Sequence, residues 1–247
     1  MSTQALKRNP SSRLQPTPRT PRRDQPEPMS LRTDLYLIAH DPDTGRPHLD
    51  KEAIAVGLAG AVLLELGHAG RVHLGSRQTS RHGTQQHTTS GNITLLDVSA
   101  TGDAINDAAL TLLWRMGGTV DTHRFIHEFA TTSLYEQVRD HLVATGILHT
   151  VTRRRYWFIR IRTRQPANAG HTVRARMRIR DVARLYRPRP QDIALAALVT
   201  ALGLTRYLYL PDTSVTGVFL RLAELVGPEH PLRDVTSVIR PHRIRYQ

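Results

Sequence analysis

The chain has 247 residues and 34 lysines and arginines against 21 acids, a formal net charge of +13. With no cysteine it can build no disulfide framework, thiolate zinc site or cysteine nucleophile. Its longest uninterrupted run of apolar residues and glycine, Ala53 to Leu64, falls short of the roughly 18 to 20 residues that a membrane span needs. The charge is concentrated: residues 151–190 carry thirteen arginines and one acid, Asp181. Such a segment attracts polyanions, nucleic acid and anionic lipid headgroups included, without choosing among them.

In chain order, residues 1–28 are rich in Pro, Ser, Thr and Arg and nearly devoid of apolar side chains, a composition that cannot offset the entropy of ordering. A disordered basic tail ending at about residue 29 is therefore expected, followed by one folded domain over 30–247, with Met1 and Met29 both candidate translation starts. There is no apolar stretch of signal-peptide type after the basic N-terminus. Ser30 is placed to cap a short helix reaching about His40, with Leu31, Leu35 and Ile38 on one face. After the turn DPDTGRPHLD, Asp50 is expected to cap a helix from Lys51 to about Gly67. That helix is apolar almost all round, with Gly57 and Gly60 allowing close approach, so it belongs at the centre of a bundle.

Residues 71–75 and 92–98 read as short strands on either side of a polar loop. Helices are expected from Asp103 to Met116, presenting Ile105, Ala108, Leu112 and Trp114 or Met116, and from about Thr122, with Phe125, Ile126 and Phe129 inward. Another runs from Ser133 to Thr145 and stops at Gly146. In YWFIRIRTR the residues Trp157, Ile159 and Ile161 alternate with Phe158, Arg160 and Arg162, which is strand periodicity with one mostly basic face. A hairpin turning at QPANAG (165–170) is expected, and residues 173–186 fit strand or helix equally. Helices from Pro190, from about Thr213 to Val226 and from about Leu232 to Ile239 complete the chain.

Motifs of chemistry are weak. His123 and His127 stand at metal-ligand spacing, but Arg124 occupies the place of the general-base Glu, so a surface pair is the better reading. GLAG (57–60) lies inside an apolar helix and reads as close packing. Asp34, Asp41, Asp43, Asp50 and Asp103 read as caps and turns, and no enzyme, cofactor or metal is expected. The helix 133–145 followed by a basic ribbon has the chain order of a winged helix, so DNA binding through an arginine-rich wing stands as an alternative. Arginine beside Trp157 and Phe158 equally suits the interfacial zone of a membrane.

The succession DLYLIAHDPDTGRP, GLAGAVLLELGHAGRVHL, TGDAINDAAL, VRDHLVATGIL with a basic hairpin, and DIALAALVTALGL resembles the Golgi phosphoprotein 3 family, particularly its actinobacterial members, over about residues 30 to 240. The resemblance implies a mainly α fold: a single helical-bundle domain ringed by amphipathic helices, with a small β-hairpin. It further implies a cytoplasmic, non-enzymatic protein held peripherally on membranes, with protein clients and self-association through the hairpin as further expectations. Eukaryotic members of that family take phosphatidylinositol 4-phosphate with a tryptophan before the central helix, an arginine within it and two arginines from the helix preceding the hairpin. Those positions hold Asp50, Ala59, Thr132 and Tyr135 here. Attachment is therefore expected to rest on the hairpin: Arg153, Arg154, Arg155, Arg160, Arg162 and Arg164 meeting phosphates, with Trp157 or Phe158 at the interface.

Overall fold

The computed structural model describes residues 29–75, 78–82, 85–89, 91–154, 160–185, 187–209, 211–227 and 230–240; in 78–82, 85–89, 153–154, 160–162 and 212–213 it describes the backbone only. The architecture is mainly helical. Central to it is α2 (Lys51–His68), in which thirteen residues are buried, so the uniformly apolar run does what its pattern requires. Around it pack α1 (Leu31–Ile38), α3 (Ala104–Arg115), α4 (Thr122–Ala130), α5 (Leu134–Ala144), α7 (Pro190–Leu202) and α9 (Pro231–Ile239). A Cβ on Gly60 would lie 2.9 Å from Val235 of α9 and 3.4 Å from Leu198 of α7, and one on Gly57 2.7 Å from Leu202. The two glycines are thus spacing devices between helices, not a phosphate-gripping loop. Outside this layer, α6 (Ala169–Arg184) packs against α1, α7 and α8 (Asp212–Leu225).

Among the described residues, three small antiparallel sheets decorate the bundle. Strands β1 (Val72–Leu74), β4 (Asn92–Leu95) and β5 (Thr119–Asp121) form one sheet in the order β1-β4-β5. The expected polar loop between β1 and β4 contains a second ribbon, β2 (Gln78–His82) with β3 (Gln85–Thr89). The third ribbon pairs β6 (Leu148–Arg154) with β7 (Arg160–Pro166). It therefore begins at Leu148, ahead of the YWFIRIRTR stretch whose alternation marks it in the sequence. Its connection lies between Arg154 and Arg160, so QPANAG is not its turn but ends β7 and leads into α6, where Asn168 caps the helix through Gly170 N at 2.8 Å.

Caps mostly follow the sequence. Ser30 accepts from Thr33 N at 3.3 Å, and Asp103 accepts from Ile105 N and Asn106 N at 3.0 and 2.9 Å, satisfying donors that a helix start leaves open. Asp50 occupies the cap position of α2 but makes no side-chain cap bond. Ser133, the expected first residue of α5, instead holds a left-handed φ of 59° and likewise caps nothing with its side chain. Trp114 is 67% exposed while Leu110 and Leu113 carry the buried face of α3, so the tryptophan is not part of the core.

Among the described residues, two arginines in this bundle are buried as counter-ions. Arg32 on α1 is 3% exposed and pairs with Glu65 of α2 and Asp103, donating also to Asn106 Oδ1 at 2.9 Å. Arg178 on α6 is 7% exposed and is held by Asp34 of α1 and by Asp192 of α7, the latter at 2.5 Å; Arg189 reaches the other oxygen of Asp192 at 2.9 Å. Asp34 and Asp103 are therefore more than caps and turns: each neutralises a cation inside the fold. Desolvation pushes the Asp34 carboxyl up to about 7, against the pull of Arg178, as expected for a charge removed from water.

Candidate functional site

The candidate surface is built where α5, the β6–β7 ribbon and α6 succeed one another in the chain. The turn before α2 anchors the ribbon's base. Gln165, buried, donates to Asp43 O, and Gly45, at φ +67°, brings its backbone so close to β7 that a Cβ there would lie 2.1 Å from Arg164 O. Only glycine combines that φ with that approach. Leu148 is buried at the start of β6, and Ala167 N donates to Ile147 O at 2.9 Å.

Register decides how the arginines are shared out. Arg154 pairs with Arg160, Thr152 with Arg162 and Thr150 with Arg164, whereas Arg153 pairs with Ile161 and Val151 with Thr163. Directly opposed residues share a face and successive pairs alternate. Arg154, Arg160, Arg162 and Arg164 thus occupy one face of the ribbon and Arg153 the other. Arg164, at the base, has a partly exposed side chain and helps hold the Asp140 carboxyl below its usual range, after the larger effect of the bond from Arg139 at 2.8 Å. Arg155, Trp157 and Phe158 lie outside the described residues.

At the positions that the resemblance assigns to the headgroup pocket, the chemistry differs. Ala59 is fully buried in α2, and Thr132 donates to Phe129 O at 2.7 Å. Tyr135 is 6% exposed and its hydroxyl bonds His40 Nε2 at 2.8 Å. His40 Nδ1 lies 2.7 Å from Tyr36 O. A carbonyl only accepts, so Nδ1 carries the proton and Nε2 accepts from Tyr135. Burial then lowers the pKa of His40 to about 4. Lys51 lies beside this stack, 5.4 Å from the Tyr135 ring and 3.5 Å from Glu136, and the charges of Arg139 and Arg164 also reach Tyr36. An anion here would compete with Glu136 for the lysine.

The outward face of α6 is a feature that the sequence left ambiguous. Its inner face is Thr172, Ala175, Arg178, Ile179 and Val182, which leaves Val173 at 53% exposure, Met177 at 38%, Arg174 and Arg184 facing out. The sequence signal that could have found it is the helical spacing of Ala175, Ile179 and Val182; the alternation of arginine with apolar residues masked it.

His123 and His127 stand with ring centroids 4.4 Å apart on the side of α4 away from Phe125 and Phe129. They form a histidine pair on α4.

Fold and surface together define a class: a helical scaffold, with no described helix long and apolar enough to cross a membrane, whose basic residues gather on one ribbon and the helix after it. The family model described as Golgi phosphoprotein 3 (GPP34) matches residues 31–239. The chain belongs to that family. No curated protein matches it.

Proposed function

We propose that the protein is a cytoplasmic, non-enzymatic peripheral membrane protein that attaches reversibly to anionic lipid surfaces through the β6–β7 ribbon. The observation that carries this reading is the register, which gathers Arg154, Arg160, Arg162 and Arg164 on one face. Arg153 and Arg155 add charge, and Trp157 or Phe158 is the aromatic proposed to meet the headgroup zone, where aromatic rings are favoured. The outer face of α6 extends the contact, since Val173 and Met177 stand exposed beside Arg174 and Arg184. Each arginine brought near an anionic surface contributes about 1 kcal/mol at physiological ionic strength.

Family membership supports the lipid-directed reading over DNA binding, whose winged-helix pattern retains only the chain order of α5 followed by a ribbon. The pocket positions Asp50, Ala59, Thr132 and Tyr135 lack the expected arginines and tryptophan, so attachment is to negative charge in general rather than to phosphatidylinositol 4-phosphate in particular. Protein clients, and pairing with a second copy through the ribbon, are compatible additions.

Flotation with liposomes tests the reading. Vesicles containing phosphatidylserine should recover the protein at low salt and release it as salt rises, and phosphatidylcholine vesicles should not. Equal recovery by both would refute it. Sequence-selective retention of duplex DNA in high competitor would favour the winged-helix reading instead.

A further inference from the structure

On the flank of α6 that faces neither the bundle nor the outer stripe, two arginines lie one turn apart, and both have covered, unpaired donors. Arg176 has Nε and Nη2 shut off from solvent without a hydrogen-bond partner, and Arg180 has Nε in the same condition. Arg176 lies over the Tyr209 ring at 4.7 Å. Across from it the short 3-10 turn Leu204–Leu208 presents Tyr207, whose ring stacks on His48 at 3.9 Å and carries Arg206 at 4.8 Å on a cation–π contact. His48 Nε2 is also covered and unpaired. These groups act on one another: after desolvation, the charges of Arg176 and Arg206 hold the His48 imidazole below its usual pKa while Asp41 pulls it up.

Buried guanidinium and imidazole donors are normally satisfied, and an unmet set at one place signals a missing acceptor. The nearby carboxylates do not supply it. Burial lowers the pKa of Arg176, and Tyr209, then Asp41 and Asp43, raise it, yet neither aspartate reaches its Nε or Nη2, which have no partner. Asp41 Oδ1 is engaged by Asp43 N at 3.1 Å, Thr44 N at 2.7 Å and Thr44 Oγ1 at 2.8 Å. The Nε–Nη2 edge of an arginine is the fork that takes two oxygens of one oxyanion. A second cation and an imidazole beside it suit a tetrahedral dianion better than a planar carboxylate.

We infer that His48, Arg176 and Arg206, with Arg180 one turn along α6 and Tyr207 and Tyr209 as walls, form a seat for a phosphate monoester. Arg206 and Tyr209 are exposed side chains, the latter at 68%. The seat shares no residue with Asp50, Ala59, Thr132 or Tyr135, nor with the arginine row of the ribbon. It therefore stands whether or not the membrane reading holds. The monoester can arrive as free phosphate or as a lipid headgroup, which offer the same chemistry.

The test is calorimetric titration of the full chain with inorganic phosphate at pH 7 and constant ionic strength. Saturable uptake is expected for the wild type, with at least tenfold weaker binding by R176Q/R206Q and no change in R115Q/R124Q, which removes the same charge from α3 and α4. No uptake by the wild type, an unaltered R176Q/R206Q, or equal loss in R115Q/R124Q would each overturn the proposal. Should R176Q/R206Q fail to fold, R206Q alone, on an exposed side chain, must weaken binding at least threefold or the proposal falls. Vesicles of phosphatidylcholine with phosphatidic acid, compared with phosphatidylserine at matched surface charge, separate the sources. Loss of a phosphatidic acid preference in R176Q/R206Q assigns the seat to a lipid headgroup, and an unchanged preference alongside lost phosphate uptake assigns it to a solute.

Discussion

Arg178 and Arg176 are two residues apart on one helix and live in opposite electrostatic worlds. Arg178 points into the bundle, where Asp34 and Asp192 answer it. Arg176 points to the rim, where none of the described carboxylates pairs with it and part of its guanidinium lacks any partner. The lesson is that a run of arginines is not one patch. The helical period divides it into a structural cation, a rim with unmet donors, and an outward stripe.

Breaking the inner half should give the largest effect. Arg178→Met leaves Asp34 buried without its counter-ion, and a loss of about 3–5 kcal/mol is expected in urea denaturation. Arg178→Met combined with Asp34→Leu should recover much of it, because an apolar replacement of a buried pair is often tolerated. If R178M unfolds at the wild-type urea concentration, the inner arginine is not structural and the contrast collapses.

A second prediction sharpens the comparison through pH. His40 has a folded pKa of about 4 against an ordinary 6.5. The unfolded chain therefore takes up the proton first, and stability present above pH 6.5 is lost as pH falls toward 4. The loss amounts to roughly 3 kcal/mol at most. In His40→Gln this acid-side slope should flatten. An unchanged slope would mean that other groups govern acid unfolding.

A smaller effect is expected at the centre. Gly60→Ala places a methyl 2.9 Å from Val235 and 3.1 Å from Ile239, both side-chain tips on α9, and overpacking of this kind costs about 1–3 kcal/mol. Thermal unfolding reads it out; a gain in stability would show that the α2–α9 contact has slack. Smallest of all, Glu136→Gln removes the exposed pair with Lys51 and should change stability by less than about 1 kcal/mol.

The bundle was legible because its signals are local. The α2 run, the Asp103 cap and the glycine stops each declare themselves within a few residues. The ion pairs were not, since Asp34 and Arg178 are 144 residues apart and an isolated aspartate near a helix start reads as a cap. On α6 the alternation of arginine with Val173, Ala175, Met177 and Ile179 imitates a strand, and a buried arginine hides the true inner face. The ribbon's basic character was visible, but its start at Leu148 and its turn position were not. The sequence also could not foretell that Arg153 lies on the opposite face from Arg154 and Arg160, because register depends on pairing. Nor could it bring His48 to Arg176.

The central claim is attachment by the arginine row of the ribbon, and its most direct measurement is flotation of R160Q/R162Q/R164Q beside R115Q/R124Q on phosphatidylserine vesicles. Three arginines at about 1 kcal/mol each predict a partition coefficient lower by roughly 100-fold for the ribbon variant, with the α3–α4 variant close to wild type. Equal binding by the ribbon variant and the wild type would contradict the account.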